Sequence, residues 1–133
     1  MQYDEFIREV QNRARLPSRG EAVRAIQATL ETLAERITRG EADDLAAQLP
    51  PQLAAYLRDI ETTDRFSVDD FFLRVAAKEA ADIPDAAHHA RAVIAVLQGA
   101  VTTGEIEDVR AQLPETYTAL FEAGSEGEMD IDA

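Results

Sequence analysis

Shifted against itself by 64 positions, the chain repeats. Gly40-Glu41 falls on Gly104-Glu105, and Ala47-Gln48-Leu49-Pro50 falls on Ala111-Gln112-Leu113-Pro114. The same offset pairs Ala22 with Ala86, Leu33 with Leu97, Thr38 with Thr102 and Asp44 with Asp108. Upstream the offset becomes 65, pairing Asp4 with Asp69, Phe6 with Phe71 and Val10 with Val75, so the second copy lacks one residue in its first loop. Self-similarity of this kind means one supersecondary unit built twice, and the fold reduces to what that unit is and how two of them pack.

The unit is helical. Ser18 with Glu21 has the spacing of a capping box, and its counterpart at offset 64 is Asp82 with Asp85, again a side-chain acceptor followed by an acid three residues on. Ser67 with Asp70 marks another start, where Phe66 and Phe71 are spaced as a hydrophobic staple over the cap. Each copy therefore reads as about four helices, two long and two short: residues 3–15 and 68–80, then 19–39 and 83–103, then the short pairs 41–49 with 50–58 and 105–113 with 114–122. Gly40 and Gly104 stand where a glycine at C′ ends a helix, and the prolines of the Leu-Pro steps suit first turns.

Val23, Ile26, Leu30, Leu33 and Ile37 recur at spacings of three and four, an amphipathic stripe for an outer helix. In the second copy Ala90, Ala92, Val93, Ile94, Ala95, Val96, Leu97, Ala100 and Val101 surround the axis, which predicts a central helix. The expectation is an all-α fold in which two tandem pseudo-symmetric units, 1–58 and 67–122, joined by 59–66, share one core as a single domain of residues 1–122. A chain of 133 residues suits one core. Aromatics at 6 % and 24 alanines favour close-packed helices over a sandwich of strands. Residues 123–133, rich in acid and glycine, read as a disordered tail.

The opening Tyr3-Asp4-Glu5-Phe6, the run from Leu30 to Ile37, and above all Gly40-Glu41-Ala42-Asp43-Asp44-Leu45-Ala46-Ala47-Gln48-Leu49-Pro50 resemble domain-of-unknown-function family 2267, small acidic helical proteins of bacteria. The resemblance covers nearly the whole chain except the tail and implies the fold. It brings no activity and no catalytic residues.

Charge and chemistry narrow the function classes. With 26 acidic against 13 basic residues the net charge is -13, which repels nucleic acid and anionic lipid. Lys78 is the only lysine. An Arg-rich, Lys-poor acidic composition fits a GC-rich genome or adaptation to a salty cytoplasm. No apolar run reaches the roughly twenty residues of a membrane span, and residues 1–10 lack the pattern of a signal peptide, so the expected location is cytoplasmic. The absence of Cys removes disulfides and thiolate chemistry.

The only histidines, His88 and His89, lie one turn after Asp85 and offer a weak set of metal ligands; the simpler reading of an acid at N3 with a cation-capable residue three further on is a helical ion pair, as for Glu21 and Arg24 in the first copy. Asp43-Asp44 and Asp69-Asp70 read as first-turn acids favoured by the helix dipole. Residues 41–58 have the outline of a helix-turn-helix, but their charges cannot neutralise phosphates. Leu45, Leu49, Leu53 and Leu57 are spaced to pack the short pair on the long helix. No nucleophile, phosphate loop or cofactor motif is present. The chain is expected to be a non-enzymatic module that binds an unknown protein partner or itself. Its alternatives are a small-ligand or cofactor carrier with a pocket between the long helices, and a salt- or stress-adapted acidic protein.

Overall fold

A computed structural model describes residues 1–122; the predicted acidic tail lies outside the described residues. Every regular element among them is a helix: α1 (Tyr3–Ala14), α2 (Arg19–Arg36), α3 (Arg39–Ala46), α4 (Pro51–Arg58), α5 (Val68–Glu79), α6 (Ile83–Ala100), α7 (Thr103–Ala111), a 3-10 turn (Glu115–Tyr117) and α8 (Thr118–Phe121). The starts read from capping chemistry are where side-chain acceptors meet backbone donors. Glu21 N–H donates to Ser18 Oγ at 3.1 Å, Asp85 N–H to Asp82 Oδ1 at 3.0 Å and Asp70 N–H to Ser67 Oγ at 3.1 Å. Phe66 and Phe71 close the staple with ring centroids 6.4 Å apart.

The ends of the long helices differ from the expectation. α2 stops at Arg36 and α6 at Ala100, each followed by an extended residue, Ile37 and Val101. Gly40 and Gly104 are the second residues of α3 and α7 and hold no positive φ. The cause is the threonine two residues before each: Thr38 and Thr102 accept from Glu41 N–H and Glu105 N–H at 3.2 Å, so a new helix begins before the glycine is reached. The left-handed ends instead belong to α1 and α5, at Arg15 (φ 56°) and Ala80 (φ 57°). In the second copy the final short helix is broken into the 3-10 turn and the four-residue α8.

Both long helices are central, which corrects the reading of α2 as an outer helix. α2 packs on α1, α4, α5 and α6, and buries Ala22, Ala25, Ala28, Thr29, Thr32 and Ala34 besides its apolar stripe. Small alanines and threonines widened its buried surface beyond the stripe. Thr32 satisfies its hydroxyl by donating to Ala28 O at 2.7 Å, whereas Thr29 Oγ1 is buried without a partner. The buried residues of both copies, from Phe6 to Phe121, form one continuous cluster. Leu45, Leu49, Leu53 and Leu57 all belong to it, as their spacing predicted.

The connection between the copies is tied down at several points. Asp64 N–H donates to Glu35 O at 2.8 Å, and the carbonyl of Phe66 accepts both Arg36 Nε and Tyr117 Oη at 2.8 Å. Across α2 and α5, Lys78 Nζ reaches Thr32 Oγ1 and Glu35 Oε2, both at 2.8 Å.

Candidate functional site

The stretch that repeats best, Gly-Glu to Gln-Leu-Pro, places its polar residues where α3 meets α7. In an ordinary capping box the acid at N3 turns back to accept the N–H of the N-cap residue. Here each N-cap N–H is taken by a glutamine of the other copy: Thr38 N–H donates to Gln112 Oε1 at 2.9 Å, and Thr102 N–H to Gln48 Oε1 at 2.8 Å. The amide nitrogens return the bond, Gln112 Nε2 to Thr38 Oγ1 at 3.1 Å and Gln48 Nε2 to Thr102 Oγ1 at 3.4 Å. Gln48 and Gln112 thus form a reciprocal clamp.

With their usual acceptor role filled by glutamine, the N3 glutamates turn elsewhere. Gln112 Nε2 holds Glu41 Oε1 at 3.4 Å. One carboxylate oxygen each from Glu41, Glu105 and Asp108 lies within 4.8 Å of the others. Glu105 is buried, 7 % exposed, and neither its Oε2 nor the Oε2 of Glu41 meets a hydrogen-bond donor. Burial first, then the bond and charge of Glu41 and the charges of Asp44 and Asp108, push the Glu105 carboxyl up to about 8. Three carboxylates thus meet at this junction, and two of them carry a buried oxygen without a hydrogen-bond partner.

The histidines of α6 are turned to other partners. His88 Nε2 lies 3.3 Å from the carbonyl oxygen of Ala14, and His89 Nδ1 lies 2.6 Å from Glu79 Oε2. Asp85 is exposed in the first turn of α6, and Asp85, His88 and His89 do not bring three ligand atoms within 4.8 Å of one another. Burial pushes the Glu79 carboxyl up while the bond to His89 draws it down. Asp69 and Asp70 are exposed in the first turn of α5 as expected, whereas Asp43 and Asp44, also exposed, lie beyond the first turn of α3, whose early start at Arg39 puts Glu41 there instead.

A cleft of about 930 Å³ opens where the end of α2, the connecting segment and the end of α7 meet, lined by Arg36, Thr38, Asp64, Arg65, Gln112 and Pro114 among others. Arg36 is committed to the Phe66 carbonyl and to the faces of Phe66 and Tyr117. The guanidinium of Arg65 has no partner among the described residues, and Arg65 is exposed.

Neither Glu41 with Glu105 nor Arg65 stood out in the sequence, because both depend on how the copies meet. A signal was available for the first: Thr-x-x-Glu occurs at both copies at the same offset as the glutamines that replace the acid in its capping role. The model of a protein family described as uncharacterized conserved protein, DUF2267, matches residues 3–120. A search among curated proteins gives no match.

Proposed function

The chain belongs to the DUF2267 family, and from that premise we propose that it is a non-enzymatic helical module of the cytoplasm that binds a partner protein through the cleft between its copies. The observation that carries this reading is Arg65, an exposed cation without a partner on the rim of that cleft, in a chain with twice as many acids as bases. In such a chain a free guanidinium beside Arg36 complements a carboxylate brought from outside, and a guanidinium binds carboxylate in two-point geometry. At about 930 Å³ the cleft falls within the roughly 300–1,000 Å³ range of ligand pockets. The occupant is therefore an acidic extended segment of a partner, with a second copy of this chain as the self-associating version of the same contact. Nucleic acid and membrane surfaces carry the wrong charge for the rest of the molecule. Among the described residues no helix is long and apolar enough to cross a membrane.

The test is a photo-crosslinker placed at Thr63, on the cleft, in the full chain expressed in its native host. A discrete protein adduct that disappears in Arg65→Glu is expected; an adduct containing only this chain identifies self-association. A monomer giving no adduct, or an adduct indifferent to Arg65→Glu, rejects the reading.

The carrier alternative draws no support from this cleft, whose walls come from connections rather than from between α2 and α6. The salt-adaptation alternative rests on the charge of -13 with a single lysine. Unfolding below molar salt is its required result.

A further inference from the structure

Acids in the first turn of a helix are ordinary, because the partial positive charge there favours them. That accounts for glutamate at N3 of α3 and α7. It does not account for Glu105 lying 7 % exposed with Oε2 touching no donor, or for Glu41 Oε2 being buried in the same state. A buried carboxylate oxygen without a donor is costly, and two of them, in carboxylates that meet a third, need either protons or a cation.

We propose that Glu41, Glu105 and Asp108 form a binding site for a hard divalent cation at the junction of α3 and α7. The donors are all carboxylate oxygens, with no nitrogen or sulfur among the three, the chemistry that selects calcium, magnesium or manganese over zinc or copper. Oxygens within 4.8 Å of one another can share one ion, and calcium, which accepts irregular coordination, suits three carboxylates on two helices better than magnesium, which demands near-octahedral geometry and gives up its waters reluctantly. The remaining ligands are left to water through the exposed Asp108 side. Asp44, the offset-64 counterpart of Asp108, adds its negative field from α3.

The ion ties Glu41 of the first copy to Glu105 and Asp108 of the second, beside the clamp made by Gln48 and Gln112. It is a staple between copies that adjoins the cleft, since Gln112 lines the cleft and also binds Glu41, but none of its three ligands is a cleft-lining residue.

Isothermal titration of the chelator-stripped full chain with CaCl2, then with MnCl2 and MgCl2, accompanied by thermal melts, decides the matter. One saturable equivalent with a rise in Tm is expected, calcium binding more tightly than magnesium. Glu105→Gln and Asp108→Asn each weaken binding at least tenfold, while Asp69→Asn, an exposed first-turn acid of α5, leaves it unchanged. Because Asp108 is exposed, its variant keeps the fold and reads the site even where Glu105→Gln does not fold. Absence of saturable binding up to about 10 mM, well above the weak range of calcium modules, overturns the proposal. So does binding equal in Asp108→Asn, which is diffuse association with an acidic surface. A Glu105→Gln protein that melts higher than the parent when the parent ignores all three cations also overturns it, and leaves a proton shared by Glu41 and Glu105 as the occupant.

Discussion

Arg15 and Ala80 hold left-handed backbone at the ends of α1 and α5, where the following N–H groups of Leu16 and Ala81 reach back to Gln11 O at 2.9 Å and Ala76 O at 3.1 Å. This is the hydrogen-bonding of a Schellman end, which glycine occupies without steric cost and other residues do not. Nothing local in Arg or Ala announces such an end, so it was illegible in the sequence, whereas Ser18, Ser67 and Asp82 were legible because a cap is a matter of side-chain oxygen and short spacing. Ala80 is exposed, so its methyl contributes little packing in return. Ala80→Gly should therefore stabilise the protein by about 0.5–1 kcal/mol, the left-handed penalty less the added chain entropy of glycine. A rise of roughly 2–5 °C in the calorimetric Tm checks it; a fall would mean that the left-handed end is absent.

At the scale of elements, the same glycine can end one helix or begin the next, and the sequence favoured the wrong choice. Gly40 followed a long periodic stretch, but Thr38 two residues earlier competes for the same turn and wins. Substitution separates the two placements by sign. At N2 of α3 a Cβ on Gly40 meets nothing within 4 Å, so Gly40→Ala should stabilise by about 0.5 kcal/mol; at a left-handed C′ position it would cost about 1 kcal/mol. Denaturant midpoints give the sign directly. The junction of α3 and α7 also sets a pH dependence. Glu105 has its carboxyl raised from 4.5 to about 8 in the folded state, so the fold holds a proton there that the unfolded chain has released. The stabilisation this gives is complete below about pH 4.5 and is lost as pH rises through about 8. In chelator, the Tm of the parent should fall more steeply between pH 5 and pH 8.5 (about the span of that titration) than that of Glu105→Gln, whose amide has nothing to release. Equal slopes in the two proteins would show that Glu105 titrates normally. None of this was legible from α7 alone, since burial and Glu41 come from the other copy.

At the scale of the molecule, the repeat told truly that the unit is helical and left open how evenly two units share the interior. The apolar surround of α6 pointed to one central helix, and the structure has two, because α2 fills its remaining faces with Ala22, Ala25, Ala28 and Ala34, residues too small to mark a face by hydrophobicity alone. That arrangement has a consequence for the first copy in isolation. A fragment ending at Arg65 keeps α1 to α4 but loses α5 and α6, on which α1 and α2 pack. Among the side chains removed are Phe71, Phe72, Val75, Val93, Ile94 and Leu97, all buried. At about 1.5–3 kcal/mol for each buried side chain of this size, they represent on the order of 10 kcal/mol, comparable with the whole stability of a domain. The fragment also loses Gln112, which binds the N-cap of α3, and Lys78, which satisfies Thr32 and Glu35 of α2. It should show weakened helical circular dichroism, no cooperative melt and strong binding of a hydrophobic dye. A cooperative transition in that fragment would mean that four helices of one copy close their own core, and that the reciprocal clamp joins two finished bodies instead of completing one.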